Sequence, residues 1–258
     1  MLIKEEQWAG IPLLHVYPEN GEDSAPVAIF LHGFTSGKEH NLHYAFNLAK
    51  RGVRVLLPDA HLHGVREEGL DEVQLSLRFW ETVLTTIEEV GMLKEELAVR
   101  FPDARKFGLA GTSMGGIETL GCLKAYDWID AAGVMMGTPG YVKLAKAQMS
   151  QYESRGFEIP LTKEERDALF ETLGRFDLTK DRKALAQRPV YFWHGMNDET
   201  VPFKPTANFI EACRADYEEV PERLKFTADR QAGHAVSRTG MLECTDWLAT
   251  HLNGDMPV

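Results

Sequence analysis

Cysteine is scarce in this chain. Its 258 residues include three, Cys122, Cys213 and Cys244, an odd number with no C-x-x-C pair among them. That excludes a disulfide-built scaffold and a cysteine zinc site, and it reads as reduced, core-filling thiols of a cytoplasmic protein. Basic side chains are in the minority: 28 Lys and Arg face 39 Asp and Glu, a formal charge of -11. A surface of that sign repels phosphate backbones and anionic lipid, which argues against nucleic-acid or membrane-surface partners and weakly against strongly anionic substrates. No apolar run approaches the roughly 18 residues of a membrane span. The start, Met1-Leu-Ile-Lys-Glu-Glu6, lacks the apolar stretch and small cleavage residues of an export signal. Repeats, low-complexity tracts and Pro/Ser-rich linkers are absent too, so a single domain over residues 1–258 is expected. Hydrophobic residues at 44% and charged residues at 26% are ordinary for a globular protein. A chain of this length buries roughly three-quarters of its unfolded surface and requires no disulfide or metal to fold.

Short, nearly uninterrupted apolar runs punctuate the chain: Val27–Leu31, Val53–Leu57, Phe107–Ala110, Val134–Met136, Val190–Trp193 and Leu224–Thr227. Strands covered by helices on both faces have this pattern. Leu2 to Tyr17, with Gly10 and Pro12 in the middle, reads as a leading antiparallel hairpin. Helix-period stretches lie between the runs. Ser36-x-x-Glu39 predicts a capping box ahead of a stripe of Leu42, Ala45, Phe46 and Ala49. Val73, Leu77, Trp80, Leu84 and Ile87 form a second stripe. The alternation predicts an α/β fold with a mainly parallel sheet. One interval breaks the rhythm, about fifty residues over 138–188, with a second capping box at Thr162-x-x-Glu165. It reads as a small helical cap inserted between two core strands, or equally as a decorated crossover packed on the sheet.

Gly111-Thr-Ser113-Met-Gly115 fits the G-x-S-x-G nucleophile elbow, in which a sharp strand-to-helix turn lifts a serine clear of the sheet. The bland reading is a glycine-rich turn or a phosphate loop, but no G-x-x-x-x-G-K-[ST] accompanies it. A serine needs a base, and a histidine base needs an acceptor to fix its tautomer. Two later strand ends supply both in the order Ser, Asp, His: His194-Gly-Met-Asn-Asp198 and Ala232-Gly-His234. Asp198 alone reads equally as a helix cap, and Glu199 and Asp229 are rival acids. Asp198 is preferred for its place in the turn after the penultimate strand. The run Val27–Leu31 ends in His32-Gly33-Phe34, so the main-chain N–H groups of Phe34 and Met114 are the expected oxyanion hole, with His32 orienting that loop. By position, Phe34, Trp193 and the cap are candidates for an apolar acyl pocket. The pairs His40/His43 and His61/His63 lack the ligand sets of a metal site, and none is expected.

With these motifs in register, the chain resembles the α/β-hydrolase superfamily over nearly its full length. His32-Gly-Phe-Thr-Ser36, Pro58-Asp-Ala-x-x-His-Gly64, Gly111–Gly115 and Trp193–Asp198 give it a narrower likeness to small bacterial carboxylesterases of the YjfP type, near dienelactone hydrolases and prolyl-oligopeptidase-like catalytic domains. The resemblance implies a mostly parallel eight-stranded sheet whose second strand is antiparallel, with no cofactor. It also implies Ser113 as nucleophile, His234 as base and Asp198 as its orienting acid. The 258 residues leave no room for a β-propeller, which counts against size-gated peptidase activity. The expected activity is hydrolysis of small carboxylic esters through an acyl-enzyme. A thioesterase, lactonase or short-peptide hydrolase would use the same three residues, and a non-catalytic ligand-binding protein is the remaining class. The acyl chain length and the oligomeric state are left open.

Overall fold

The computed structural model describes residues 1–254. Eight strands form one sheet: β1 (Leu2–Trp8), β2 (Ile11–Tyr17), β3 (Val27–Leu31), β4 (Arg54–Pro58), β5 (Phe107–Thr112), β6 (Ala131–Met135), β7 (Val190–Gly195) and β8 (Leu224–Asp229). Their spatial order is β1-β2-β4-β3-β5-β6-β7-β8. β2 is antiparallel to both its neighbours, and every other pairing is parallel. This is the predicted mostly parallel sheet with a reversed second strand.

β3 explains why the apolar runs are unbroken. Successive side chains on a strand point to opposite faces. Val27, Ile29 and Leu31 enter one core, while Ala28 and Phe30 enter the other. The second core lies under α1 (Leu42–Ala49) and α8 (Arg238–Asn253), which touch each other. The first lies under α3 (Phe79–Arg100), α4 (Met114–Ala125) and α7 (Phe203–Cys213). Between β6 and β7 run α5 (Tyr141–Ser154) and α6 (Lys163–Phe176). Tyr141, Ala145 and Leu173 of this pair belong to the first core, and Tyr141 Oη donates to the Ile117 carbonyl of α4 at 2.5 Å. The outermost strand β1 is exposed and charged (Lys4, Glu5, Glu6), which discourages pairing with another sheet edge.

Three local expectations require correction. Ser36-x-x-Glu39 forms no capping box. The Lys38 N–H is taken by Asp59 Oδ1 at 2.8 Å, Glu39 pairs with Lys38 Nζ at 3.0 Å, and α1 starts only at Leu42 after a 3-10 turn. A distant carboxylate has outcompeted the local cap. Phe46 is 52% exposed, and Tyr44 and Leu48 are buried in its stead. The stripe from Val73 is broken at Arg78 into α2 (Glu72–Leu77) and α3, leaving Val73 and Leu77 exposed while Trp80 and Ile87 are buried. The box at Thr162 is formed, with reciprocal bonds of 3.2 Å to the Glu165 N–H and 2.7 Å from the Thr162 N–H. Another, Asp71–Gln74, starts α2.

Candidate active site

β5 delivers Ser113 into a turn with φ +55° and ψ -113°, a conformation non-glycine residues rarely adopt, and α4 starts at the next residue. Two glycines make the turn possible. A Cβ on Gly111 would lie 2.4 Å from the backbone of Gly115, and one on Gly115 would lie 2.2 Å from the Leu31 carbonyl oxygen. The Ser113 N–H donates to the Met135 carbonyl at 2.9 Å and ties the turn to β6.

The other two groups come from neighbouring strands. After β7, the Met196 and Asn197 N–H groups donate to the carbonyls of Asp229 and Ala232 at 2.8 and 3.0 Å, stitching the two turns together. The crossing is tight, since a Cβ on Gly195 would lie 2.2 Å from the Gly233 carbonyl oxygen. Gly195→Ala should therefore push the His234 loop outward. A loss of about 2 kcal/mol in denaturant unfolding is expected, because the obstructing atom is backbone and cannot rotate away.

These connections bring Ser113, His234 and Asp198 together. Ser113 Oγ lies 2.7 Å from His234 Nε2, and His234 Nδ1 lies 2.7 Å from Asp198 Oδ2. An ionised carboxylate only accepts, so the proton sits on Nδ1 and leaves Nε2 free to accept from the serine hydroxyl. Asp198 is buried, and its Oδ1 accepts from the Thr200 and Val201 N–H groups at 2.9 Å each. Burial alone would raise its pKa. Hydrogen bonds from His194, His234 and the Val201 N–H outweigh that and hold the carboxyl well below the usual range. Of the rival acids, Glu199 is exposed and Asp229 is spent on the N–H groups of Gln231 and Ala232.

The loop after β3 lies against the serine: a Cβ on Gly33 would touch Ser113 Cβ at 3.5 Å. Neither the Phe34 nor the Met114 N–H is used in the hydrogen bonds of the described residues, and that of Met114 is the first of a helix, without an intrahelical partner. His32 braces this loop. Its Nδ1–H donates to the Gly33 carbonyl at 2.8 Å, and Nε2 accepts from the Ala60 N–H at 3.0 Å. Burial pushes its pKa down to about 4. His15 is lowered as well, by burial first, and its Nε2 accepts from Arg54 at 2.9 Å. Both imidazoles take up a proton more readily unfolded than folded. Their contribution is complete above the ordinary value of about 6.5 and is lost as pH falls toward about 4, at up to about 1.4 kcal/mol per pH unit each. Urea midpoints measured between pH 7.5 and 4.5 should fall, and His15→Gln should flatten that slope by about one proton.

Two contributors were not read from the sequence. Asp59 accepts from Lys38 Nζ at 2.9 Å and from the Lys38 and Val65 N–H groups, so one buried carboxylate clamps the loops after β3 and β4. His194 lies 3.3 Å from Asp198 Oδ2, with its Nε2–H donating to the Val201 carbonyl at 2.8 Å. For Asp59, nothing local marks a partner 21 residues away; His194 and Asp198 share one motif, four residues apart. Trp193 is misplaced as a pocket residue. Strand alternation turns it into the core beneath α8. Phe34 stays partly open and packs edge-on to Phe79 and His63. A largely apolar pocket of about 430 Å³ opens beyond β6 and β7, lined by Thr138, Pro139, Leu144, Pro202, Pro205 and Phe209 among others; Ser113 and His234 are not part of its lining. Among the described residues no three His, Cys, Asp or Glu side chains are grouped to hold a metal, and no helix is long and apolar enough to cross a membrane.

Comparison with known proteins adds to this geometry. Residues 28–253 match the alpha/beta hydrolase family. "Putative esterase YitV" of Bacillus subtilis (strain 168) is 44% identical over 252 residues, 97% of this chain and 99% of that one. "Esterase YjfP" of Escherichia coli (strain K12) is 32% identical over 203 residues, 78% and 80% of the two chains. The crystal structure of TT1662 from Thermus thermophilus superposes with a TM-score of 0.75 at 24% identity, covering 98% of this chain and 99% of that one.

Proposed function

Because this chain belongs to the alpha/beta hydrolase family, we propose that it is a serine carboxylesterase acting on small-molecule esters. The observation that carries this reading is the continuous hydrogen-bonded line from Ser113 Oγ through His234 to Asp198, both spacings 2.7 Å. The esterase names of the two relatives support the choice of ester over other acyl substrates.

In this mechanism Ser113 Oγ attacks the acyl carbon while its proton passes to His234 Nε2. Asp198 stabilises the imidazolium and stays ionised. The carbonyl oxygen, now an oxyanion, is received by the Phe34 and Met114 N–H groups, aided by the positive end of α4. Collapse breaks the bond to the alcohol oxygen, which leaves with the proton from His234. Water then repeats the cycle on the acyl-enzyme and frees the carboxylic acid. We assign the segment 138–188 as a helical cap inserted between β6 and β7. Residues from both ends of this segment, with α7, line the pocket described above.

The direct test is an alkyl fluorophosphonate, which esterifies an activated serine. One adduct per chain, located to Ser113 by mass spectrometry, is expected. Intact, folded protein that stays unlabelled would overturn the reading in favour of a ligand-binding role. Comparing kcat/KM for an oxyester, a thioester and an amide of one acyl group then ranks the esterase against its relatives in chemistry.

A further inference from the structure

We propose that the core beneath α4 binds a single internal water between Glu118 and Thr86, and that Glu118 acts through it as a positioning residue for the oxyanion loop. Glu118 sits on α4, five residues beyond Ser113, and is fully buried. Neither of its carboxyl oxygens has a hydrogen-bond partner, and the Oγ1 of buried Thr86 on α3 has none either. Both residues line one small cavity together with Leu31, His32, Asp59 and Ala60, and every lining residue except Glu89 is buried. The space open to the centre of a water molecule is about 10 Å³, room for one.

An apolar void of this size stays dry. Two converging, unsatisfied polar groups instead make a water site, since buried donors and acceptors are satisfied in nearly all folded proteins. Burial, reinforced by the charge of Glu89, pushes the Glu118 carboxyl well above the usual carboxylate range, opposed by hydrogen bonding from Thr86. In its neutral form the acid offers one donor and one acceptor to the water. Thr86 lies near enough to interact with the Glu118 carboxyl, yet neither side chain's oxygens reach good hydrogen-bond geometry, and a water beside the pair would serve both.

The cavity also adjoins the three pieces that set the oxyanion hole. These are α4, which begins with the Met114 N–H, the end of β3 that leads into Gly33 and Phe34, and the Asp59–Ala60 turn whose N–H holds His32. This inference rests on the roles proposed above for Phe34 and Met114.

The experiment compares wild type with Glu118→Gln, Glu118→Leu and Thr86→Val. Oxygen-17 relaxation dispersion and crystal structures report the water, and p-nitrophenyl acetate hydrolysis reports kcat and KM separately. Wild type and Glu118→Gln should hold one long-lived water, because the amide also offers a donor and an acceptor. Glu118→Leu should lose it, with kcat down about tenfold at nearly constant KM, while Glu118→Gln stays within about threefold of wild type. Thr86→Val removes one hydroxyl at constant shape and decides the matter should Glu118→Leu fail to fold. A dry cavity in wild type, or an unaltered kcat in both apolar variants, overturns the proposal. Failure of the esterase reading looks different: Ser113 would resist fluorophosphonate while the water remained. A labelled enzyme with a dry cavity would sink the water site alone.

Discussion

Ser113→Ala should lower kcat for ester hydrolysis by roughly 10⁶-fold, since members of such a relay act as a unit and losing the proposed nucleophile would remove nearly all of their effect. KM should move far less, because the proposed oxyanion donors are main-chain groups that the substitution leaves in place. Stability should hardly change, as alanine inherits the same φ of +55°. Ser113→Gly separates the two properties. It should be equally inactive yet withstand more urea, by about 1 kcal/mol, because glycine adopts that conformation without strain. Steady-state kinetics and urea titrations on the three proteins are sufficient. An alanine variant retaining a tenth of wild-type turnover would remove Ser113 from the mechanism.

Asp198→Asn should cost about 10⁴-fold in kcat at neutral pH, and the cause is a tautomer. Asp198 Oδ1 faces two N–H donors, from Thr200 and Val201, while Oδ2 faces His234 Nδ1. An asparagine satisfies the two backbone donors with its carbonyl oxygen and so turns its NH₂ toward His234. Nδ1 must then accept, the ring proton moves to Nε2, and the histidine meets the serine hydroxyl as a donor instead of a base. The variant should also lose stability, because the Nε2–H of His194 faces the same amide. Activity within tenfold of wild type would transfer the acid's role to another carboxylate.

Much of this architecture was legible because it depends on short-range chemistry. A strand buried on both faces must be apolar throughout, so β3, β5 and β7 stood out. Gly111 and Gly115 bracket a turn that admits no side chain at either place. The three strand-end motifs could be read for the same reason, each being a few residues long. What escaped depends on contacts between distant segments. Ser36 has the residue types of a helix cap, but Asp59 binds the Lys38 N–H and the local pattern loses. Trp193 has the composition of a pocket residue, yet only the phase of β7 against α8 decides which face it takes. Glu118 looks in sequence like an ordinary polar position of a helix, and its complete burial follows from α3 lying alongside.

The position of β8 has a kinetic meaning. This strand has a neighbour on one side alone, whereas β5 lies between β3 and β6. In the mechanism proposed above, Ser113 and the amides of Phe34 and Met114 are thus anchored at the centre of the sheet, while His234 hangs from its margin. That division would suit the roles proposed for them: the stationary parts would hold an ångström-scale target, and the imidazole would shuttle between attacking and departing oxygens twice in every turnover.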